Sequence, residues 1–257
     1  MLKGLYTAYT GLANEQNRMD ILSNNLANAS TVGYKKEGST SQAFDDVLSY
    51  KIKDSSENPN TAKRLGTLNL GVKIGENYTD FSQGSFRITG NTFDLALAGE
   101  GFFTVEFTNK EGETSTKYTR DGSFTLDTDG YLVTADGDYV MGTRGRIKLN
   151  PLKETAIDDN GFISQDGVTV AALKITDFTD YSYIEKYGEN YYQPVDGAKT
   201  KYAEATVKSG YLEMSNVQTV SEMVNLISIT RAYESNQKIM QTYDETLDIA
   251  VNQIGKV

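Results

Sequence analysis

Carboxylates crowd the stretch from Asp127 to Asp138, where Asp127, Asp129, Asp136 and Asp138 stand among Gly130 and Gly137. Side chains of this kind could hold a calcium ion or, as a pair, cleave a glycosidic bond. A calcium loop takes its ligands at fixed places in a twelve-residue run that ends on Glu. Asp127, Asp129 and Gly130 sit at plausible places in such a run, but its first position holds Thr125 and its last holds Asp136. Two successive hairpin turns explain the same residues, because Gly accepts positive φ and the Asp side chain caps the turn. The Asp158-Asp159 pair before Asn160-Gly161 also reads as a turn. A glycosidase pair would need its carboxyls about 5 Å or about 6.5–9.5 Å apart, in a cleft usually lined with Trp. Cys, His and Trp are all absent. Their absence removes thiol catalysis, disulfides, thiolate or imidazole metal sites and every triad with a His base. Gly99-Glu100-Gly101 is no dinucleotide fingerprint, since no third Gly follows and no helical pattern opens there. The expectation is a protein without catalysis, cofactor or metal. Of 17 Tyr residues, Tyr181, Tyr183, Tyr187, Tyr191 and Tyr192 bunch together, as an interface or as the rim of a β-domain.

The chain has 257 residues, enough for one large domain or two small ones. Against 35 Asp and Glu stand 25 Lys and Arg, a net charge of −10 that disfavours a nucleic-acid partner. No run of about 18 apolar residues is present, so membrane insertion is not expected. Thr7, Thr10, Asn14 and Glu15 follow too soon after Met1 for a secretory signal with an apolar core.

Two helical patterns flank the acidic stretch. Leu5, Ala8, Leu12, Met19, Leu22, Leu26 and Ala29 follow a 3-4 alternation broken only by Glu15, which puts them on one stripe. The opposite face carries Asn14, Asn17, Asn24 and Asn28, and Gly33 is a plausible stop. Near the other end Leu226, Ile229, Tyr233, Met240, Tyr243, Leu247, Ala250 and Ile254 repeat the alternation, with Asn236 its polar member. No Pro or Gly interrupts 211–254, and Ser221, Glu222 and Asn216 offer capping chemistry near the start. Such lengths suit a coiled coil. Between the stripes, Asp-Gly and Asn-Gly pairs punctuate short β-prone runs: Phe102 to Phe107, Tyr118 to Arg120, Ser123 to Leu126, Tyr131 to Thr134 and Val168 to Ile175. The predicted fold class is α+β, with paired long terminal helices, coiled-coil-like, around a central antiparallel all-β domain. The predicted spans are 1–34 helix, 35–74 extended arm, 75–205 β-domain and 206–257 helix. Within the arm, Phe44, Val47, Leu48 and Ile52 could form a short helix, and 54–61 reads as an exposed loop.

One segment carries a resemblance. Ser23-Asn24-Asn25-Leu26-Ala27-Asn28, then Thr31 and Gly33-Tyr34-Lys35, resembles the signature of bacterial flagellar rod and hook proteins. The likeness continues through Gly84 to Phe86, Thr89-Gly90-Asn91, Phe93 to Leu97, Gly99 to Phe103 and Tyr118 to Phe124. It resumes at Gly188-Glu189-Asn190, Gly210 to Val217, Met223 to Ile227 and Arg231-Ala232-Tyr233-Glu234. It covers nearly the whole chain and, because of the arm, is most like the distal rod subunits. The resemblance implies a structural subunit of the flagellar basal-body rod that self-assembles into a helical tube and transmits motor torque to the hook. It also implies export without a cleaved signal through the flagellar type III apparatus, and as partners other copies, other rod subunits, the hook protein and rings around the rod. The stripe residues Leu5, Leu12, Met19, Leu22, Leu26, Leu226, Ile229, Tyr233, Met240, Tyr243, Leu247 and Ile254 would then form the assembly interface. The alternatives are a proximal rod or hook-type subunit of the same family, or a secreted β-domain binding protein or carbohydrate-active enzyme.

Overall fold

A computed structural model describes residues 2–51, 63–109, 112–188 and 190–254, apart from the side chains of 2, 49–51, 63–65, 253 and 254. Ile52, Lys53, Glu189 and the loop at 54–61 lie outside the described residues, as do the side chains of Lys51, Lys63, Arg64 and Ile254. The described strand pairs are all antiparallel. The chain forms two compact units, one of Met1–Ala27, Glu37–Asp80 and Gln218–Val257, the other of Asn28–Lys36 and Phe81–Val217. These units cut the chain elsewhere than the four predicted spans.

The first unit holds both long helices. Helix α1 spans Leu2–Ala27 and α2 spans Thr219–Ile249, the latter 31 residues without Pro or Gly. The α2 cap is not the expected one. Gln218 occupies the N-cap with extended backbone and makes no side-chain cap bond. Asn216 instead accepts from the Lys36 amide at 2.8 Å within the second unit, so its side chain is already engaged. Nor does α1 run to Gly33, because the chain turns at 28–30.

The predicted short helix near Phe44 is also replaced. Val47–Lys51 is a strand paired with Lys63–Leu68, and Glu37–Ala43 pairs with Val72–Thr79. Three apolar residues at 44, 47 and 48 cannot carry the cost of nucleating a helix. A turn next to them favours pairing instead. Gly71, at φ +132, donates its amide to Asn69 Oδ1 at 2.9 Å, and its carbonyl accepts from the Phe44 amide at 3.0 Å.

The second unit is built on a ten-stranded sheet. Its main path runs Ile184–Tyr187, Tyr191–Pro194, Thr114–Thr119, Phe102–Thr108, Tyr139–Gly142, Leu132–Val133 and Thr125–Leu126. Gly130 and Gly137 take φ of +81° and +92°, closing the two successive hairpins at the acidic stretch. Smaller pairings join Thr206–Ser209 to Leu95–Ala98 and Tyr211–Glu213 to Phe86–Ile88. Leu95, Leu97, Phe103, Val105, Phe124, Leu132, Val140, Ile147 and Ile163 form one continuous core, each at most 3% exposed. A second cluster of rings, Phe102, Tyr118, Phe178 and Tyr192, packs with Phe81 and Tyr181. Apolar burial on this scale is the dominant favourable term in folding.

Candidate assembly surface

Helices α1 and α2 meet inside the first unit. A Cβ built on Gly4 would meet the Tyr243 hydroxyl and lie 2.9 Å from its Cζ. One built on Gly11 would lie 3.1 Å from Asn236 Nδ2. Residues advancing along α1 therefore meet residues receding along α2, and the helices run antiparallel. Along α2, Glu222 and Ile229 are buried and Leu226, Tyr233, Asn236, Met240 and Tyr243 half-buried. Leu247, at 37% exposed, lies at the open edge of the stripe. On α1, Ala8 is buried and Leu5, Leu12, Met19, Leu22 and Leu26 are half-buried.

The face of α1 opposite the stripe is packed in part, with Asn17 and Asn28 half-buried and Asn24 exposed. Asn14 is buried and its Oδ1 accepts from Ser41 Oγ at 3.0 Å. Thr7 donates its hydroxyl to the Leu70 carbonyl at 3.2 Å. Asn25, fully buried, donates to the Glu37 carbonyl at 2.7 Å and accepts from the Glu37 amide at 2.9 Å. Its amide thereby imitates a neighbouring strand and ties the end of α1 to Glu37–Ala43. Ser23, Asn24 and Ala27 are exposed, and Leu26 and Asn28 half-buried. The signal that could have revealed this face was its lack of charge, since a fully solvated helix face usually carries ionised residues.

Sequence reading also missed a second apolar face on α2. Val220 is 75% exposed, Val224 61% and Ile227 55%, and Met223, Ile239 and Ile249 are exposed beside them. A groove of about 530 Å³ runs along Ser235, Lys238, Ile239, Thr242, Tyr243 and Thr246. Among the described residues, only Ala8 and Ile229 in the first unit join the buried apolar set, while fifteen of the 24 exposed large apolar residues belong to that unit. Apolar surface of that extent marks an interaction site.

In the second unit the signature residues build a clasp. Gly33 is held at φ +71 and donates its amide to the Glu213 carbonyl at 2.8 Å. A side chain on Gly33 would collide with the main chain of Arg120 and Asp121. So Gly33 does not stop a helix; it lets two backbones touch. Beside it Lys35 Nζ donates to Glu213 Oε1 at 2.7 Å and to the Ser82 carbonyl at 2.8 Å. Arg120 donates to Glu213 Oε2 at 3.2 Å and to the Gly99 carbonyl at 2.9 Å. All three charged side chains are at most 3% exposed. Buried charges survive only when paired and hydrogen-bonded, as here.

Two members of the acidic stretch hold a turn and the core, while Asp129 and Asp136 are exposed. Asp127 Oδ1 accepts from the Thr128 amide at 2.7 Å, and Asp138 accepts the Tyr191 hydroxyl at 2.7 Å. Burial pushes the Tyr191 hydroxyl pKa up, and its bond to Asp138 adds to the shift. Of the bunched tyrosines, Tyr187 falls on the edge strand of the sheet, while Tyr191 and Tyr192 are buried on the next strand in, where they pair with Thr119 and Tyr118.

The arrangement defines a protein that works by contact: a well-packed β unit attached to paired helices with uncovered apolar faces. Comparison with known proteins gives that class a family. Three family models match in chain order: flagella basal body rod protein at 5–35, the flagellar hook protein FlgE/F/G D1 domain at 96–171, and the flagellar basal body rod FlgEFG protein C-terminal at 208–254. The flagellar basal-body rod protein FlgG of Bacillus subtilis (strain 168) is 35% identical, covering 98% of this chain and 99% of its own. FlgF of Caulobacter vibrioides, also a flagellar basal-body rod protein, is 33% identical over 97% of this chain and 98% of its own. The flagellar hook-basal body complex protein FlhO of Bacillus subtilis (strain 168) is 29% identical over the full length of both. The chain belongs to the flagellar basal-body rod protein family and is a structural subunit of that rod, not an enzyme.

Proposed function

We propose that this chain is the distal rod subunit and that copies of it polymerise into a helical tube carrying torque from motor to hook. The single observation that carries the reading is the uncovered apolar surface of α2, from Val220 to Ile227 and again at Ile239 and Ile249. A helix pair this exposed gains little stability alone, and neighbouring copies would complete its burial. A contact between unlike surfaces that does not close on itself builds a filament. In this reading the stripe residues Leu5, Leu12, Met19, Leu22, Leu26, Leu226, Ile229, Tyr233, Met240, Tyr243, Leu247 and Ile254 pair coiled-coil-like at the tube wall. Other rod subunits, the hook protein and surrounding rings are its neighbours, and the flagellar export apparatus delivers it without a cleaved signal.

The distal position is supported by the recurrence of FlgG among the relatives, at 35% and 33% identity. The 33% identity to FlgF favours, as the second reading, a proximal place in the same rod. Imaging basal bodies from a strain lacking this chain separates the two. A short rod that stops before the hook supports the distal place; loss of the rod from its base supports the proximal one. If the purified chain never forms filaments and the deletion leaves the rod whole, the reading fails.

A further inference from the structure

We propose that two glycine notches on α1, with the two α2 side chains that fill them, fix the register of the helix pair, Asn236 rejecting the slip that would set it against Arg18. This rests on the reading above, in which α1 and α2 pair within the subunit. Gly4 and Gly11 stand seven residues apart, as do Tyr243 and Asn236 opposite them. Each couple therefore occupies one position of a seven-residue repeat. Glycine is among the poorest helix formers, so two of them at one such position in α1 run against propensity. The space they leave is filled. The Asn236 amide lies against Gly11, with Nδ2 at 3.1 Å and Cγ at 3.5 Å from where a Cβ would be. The Tyr243 ring covers Gly4 in the same manner.

The apolar members of the seam cannot supply this selection. Leu226, Met240 and Leu247 on α2 and Leu5, Leu12, Met19 and Leu26 on α1 repeat at seven-residue intervals or close to them. A slip of one repeat sets one apolar residue where another stood. The notches respond differently. Slipped one way, Gly4 faces Ala250 and its notch is empty, while Asn236 faces Arg18. Slipped the other way, Asn236 moves to the Gly4 notch, but Ile229 enters the Gly11 notch and Tyr243 has no counterpart. A polar side chain in a largely apolar seam is a known determinant of register, at some expense in stability; Glu222, buried two repeats before Asn236, is a second one. Asn236 is the polar member of its stripe between Tyr233 and Met240.

The chain contains no Cys, so paired spin labels can be placed without background. Labels at Asp20→Cys and Gln241→Cys, both at exposed positions, report the offset of the two helices in the full-length chain. Diluting with an excess of unlabelled chain restricts the signal to distances within one subunit. The native sequence should give one narrow distance. Adding Asn236→Leu should create a second population about 10 Å away, the length of seven helical residues. A single unchanged distance with Asn236→Leu would overturn the register role. A broad distribution in the native sequence, with helical circular dichroism retained, would mean that the helices do not pair, and the underlying reading would fall first. A second variant tests the notch itself. Gly11→Leu should lower the midpoint of helix melting although Leu is the better helix former; a rise would show that the notch is not filled.

Discussion

The two units of this chain solve opposite problems. The β unit buries a continuous core around Phe103, Val105, Leu132 and Ile163, each at most 1% exposed. The helical unit leaves Val220, Val224, Ile227 and Val251 more than half exposed and buries, among the described residues, only Ala8 and Ile229 from its apolar set. One part is finished as a folded object; the other is finished only by what binds it. Free energy in the first case comes from within the chain, and in the second, on the proposed function, from neighbouring copies.

The sharpest way to break this contrast is to damage the β core. Phe103→Ala should destabilise the β unit by about 3–5 kcal/mol in the free subunit, the usual effect of a buried Phe truncation. Near-ultraviolet circular dichroism would read it, and an unchanged melt would deny that the core is self-sufficient. Glu213→Gln should be of similar size, about 3–5 kcal/mol, because it leaves Lys35 and Arg120 buried without their anion. For the same reason an excised 75–205 should melt below 28–217, since it lacks Lys35, Glu213 and the Thr206–Ser209 strand.

On the helical side the expected pattern reverses. Leu247→Asp or Val224→Asp should abolish filament formation while leaving the β-unit melt unchanged, with secretion checked in parallel so that failed export is not mistaken for failed assembly. Exported subunits that still polymerise would remove these residues from the interface.

Acid should produce a smaller effect on the β unit. Arg146 donates two bonds to Glu106, at 2.8 and 2.9 Å, and holds its carboxyl below the ordinary 4.5. Burial alone would raise Asp177, but bonds from Lys201, Tyr181 and the Phe178 amide outweigh it and lower its pKa from 3.8. Both groups contribute stability above their unfolded values that is lost as pH falls through the lower folded ones. Asp121, raised by burial, works in the other direction and loses its contribution as pH rises through its folded value. The net expectation is a β-unit melt that declines below about pH 4.5 and declines less in Glu106→Gln. Smallest of all, a chelator should leave the melt unmoved; a shift of several degrees would reinstate the calcium reading of Asp127 to Asp138.

Spacing alone revealed the helices and the hairpins, because both are local. The 3-4 alternation from Leu5 to Leu26 and from Leu226 to Tyr243 and the Asp-Gly pairs at 129–130 and 136–137 correspond to α1, α2 and two turns. What escaped was non-local. Lys35, Arg120 and Glu213 lie up to 178 residues apart, and no short window shows that they share one buried cluster. The strand at Val47–Lys51 escaped because its partner follows a turn beyond the window that suggested a helix. The second face of α2 escaped because Val220, Val224 and Ile227 lie off the stripe whose alternation marks the helix.

The glycines of this chain differ in how a lost one could be repaired. At Gly4 and Gly11 the obstacle to a methyl group is a side chain, Tyr243 or Asn236, and a genetic screen could recover motility by a second change at that residue. At Gly33 the obstacle is the peptide group joining Arg120 to Asp121, which every allele of the gene encodes alike. No codon change there makes room. A Gly33→Ala strain should therefore revert only at position 33, whereas intragenic suppressors of Gly4→Val should collect at position 243.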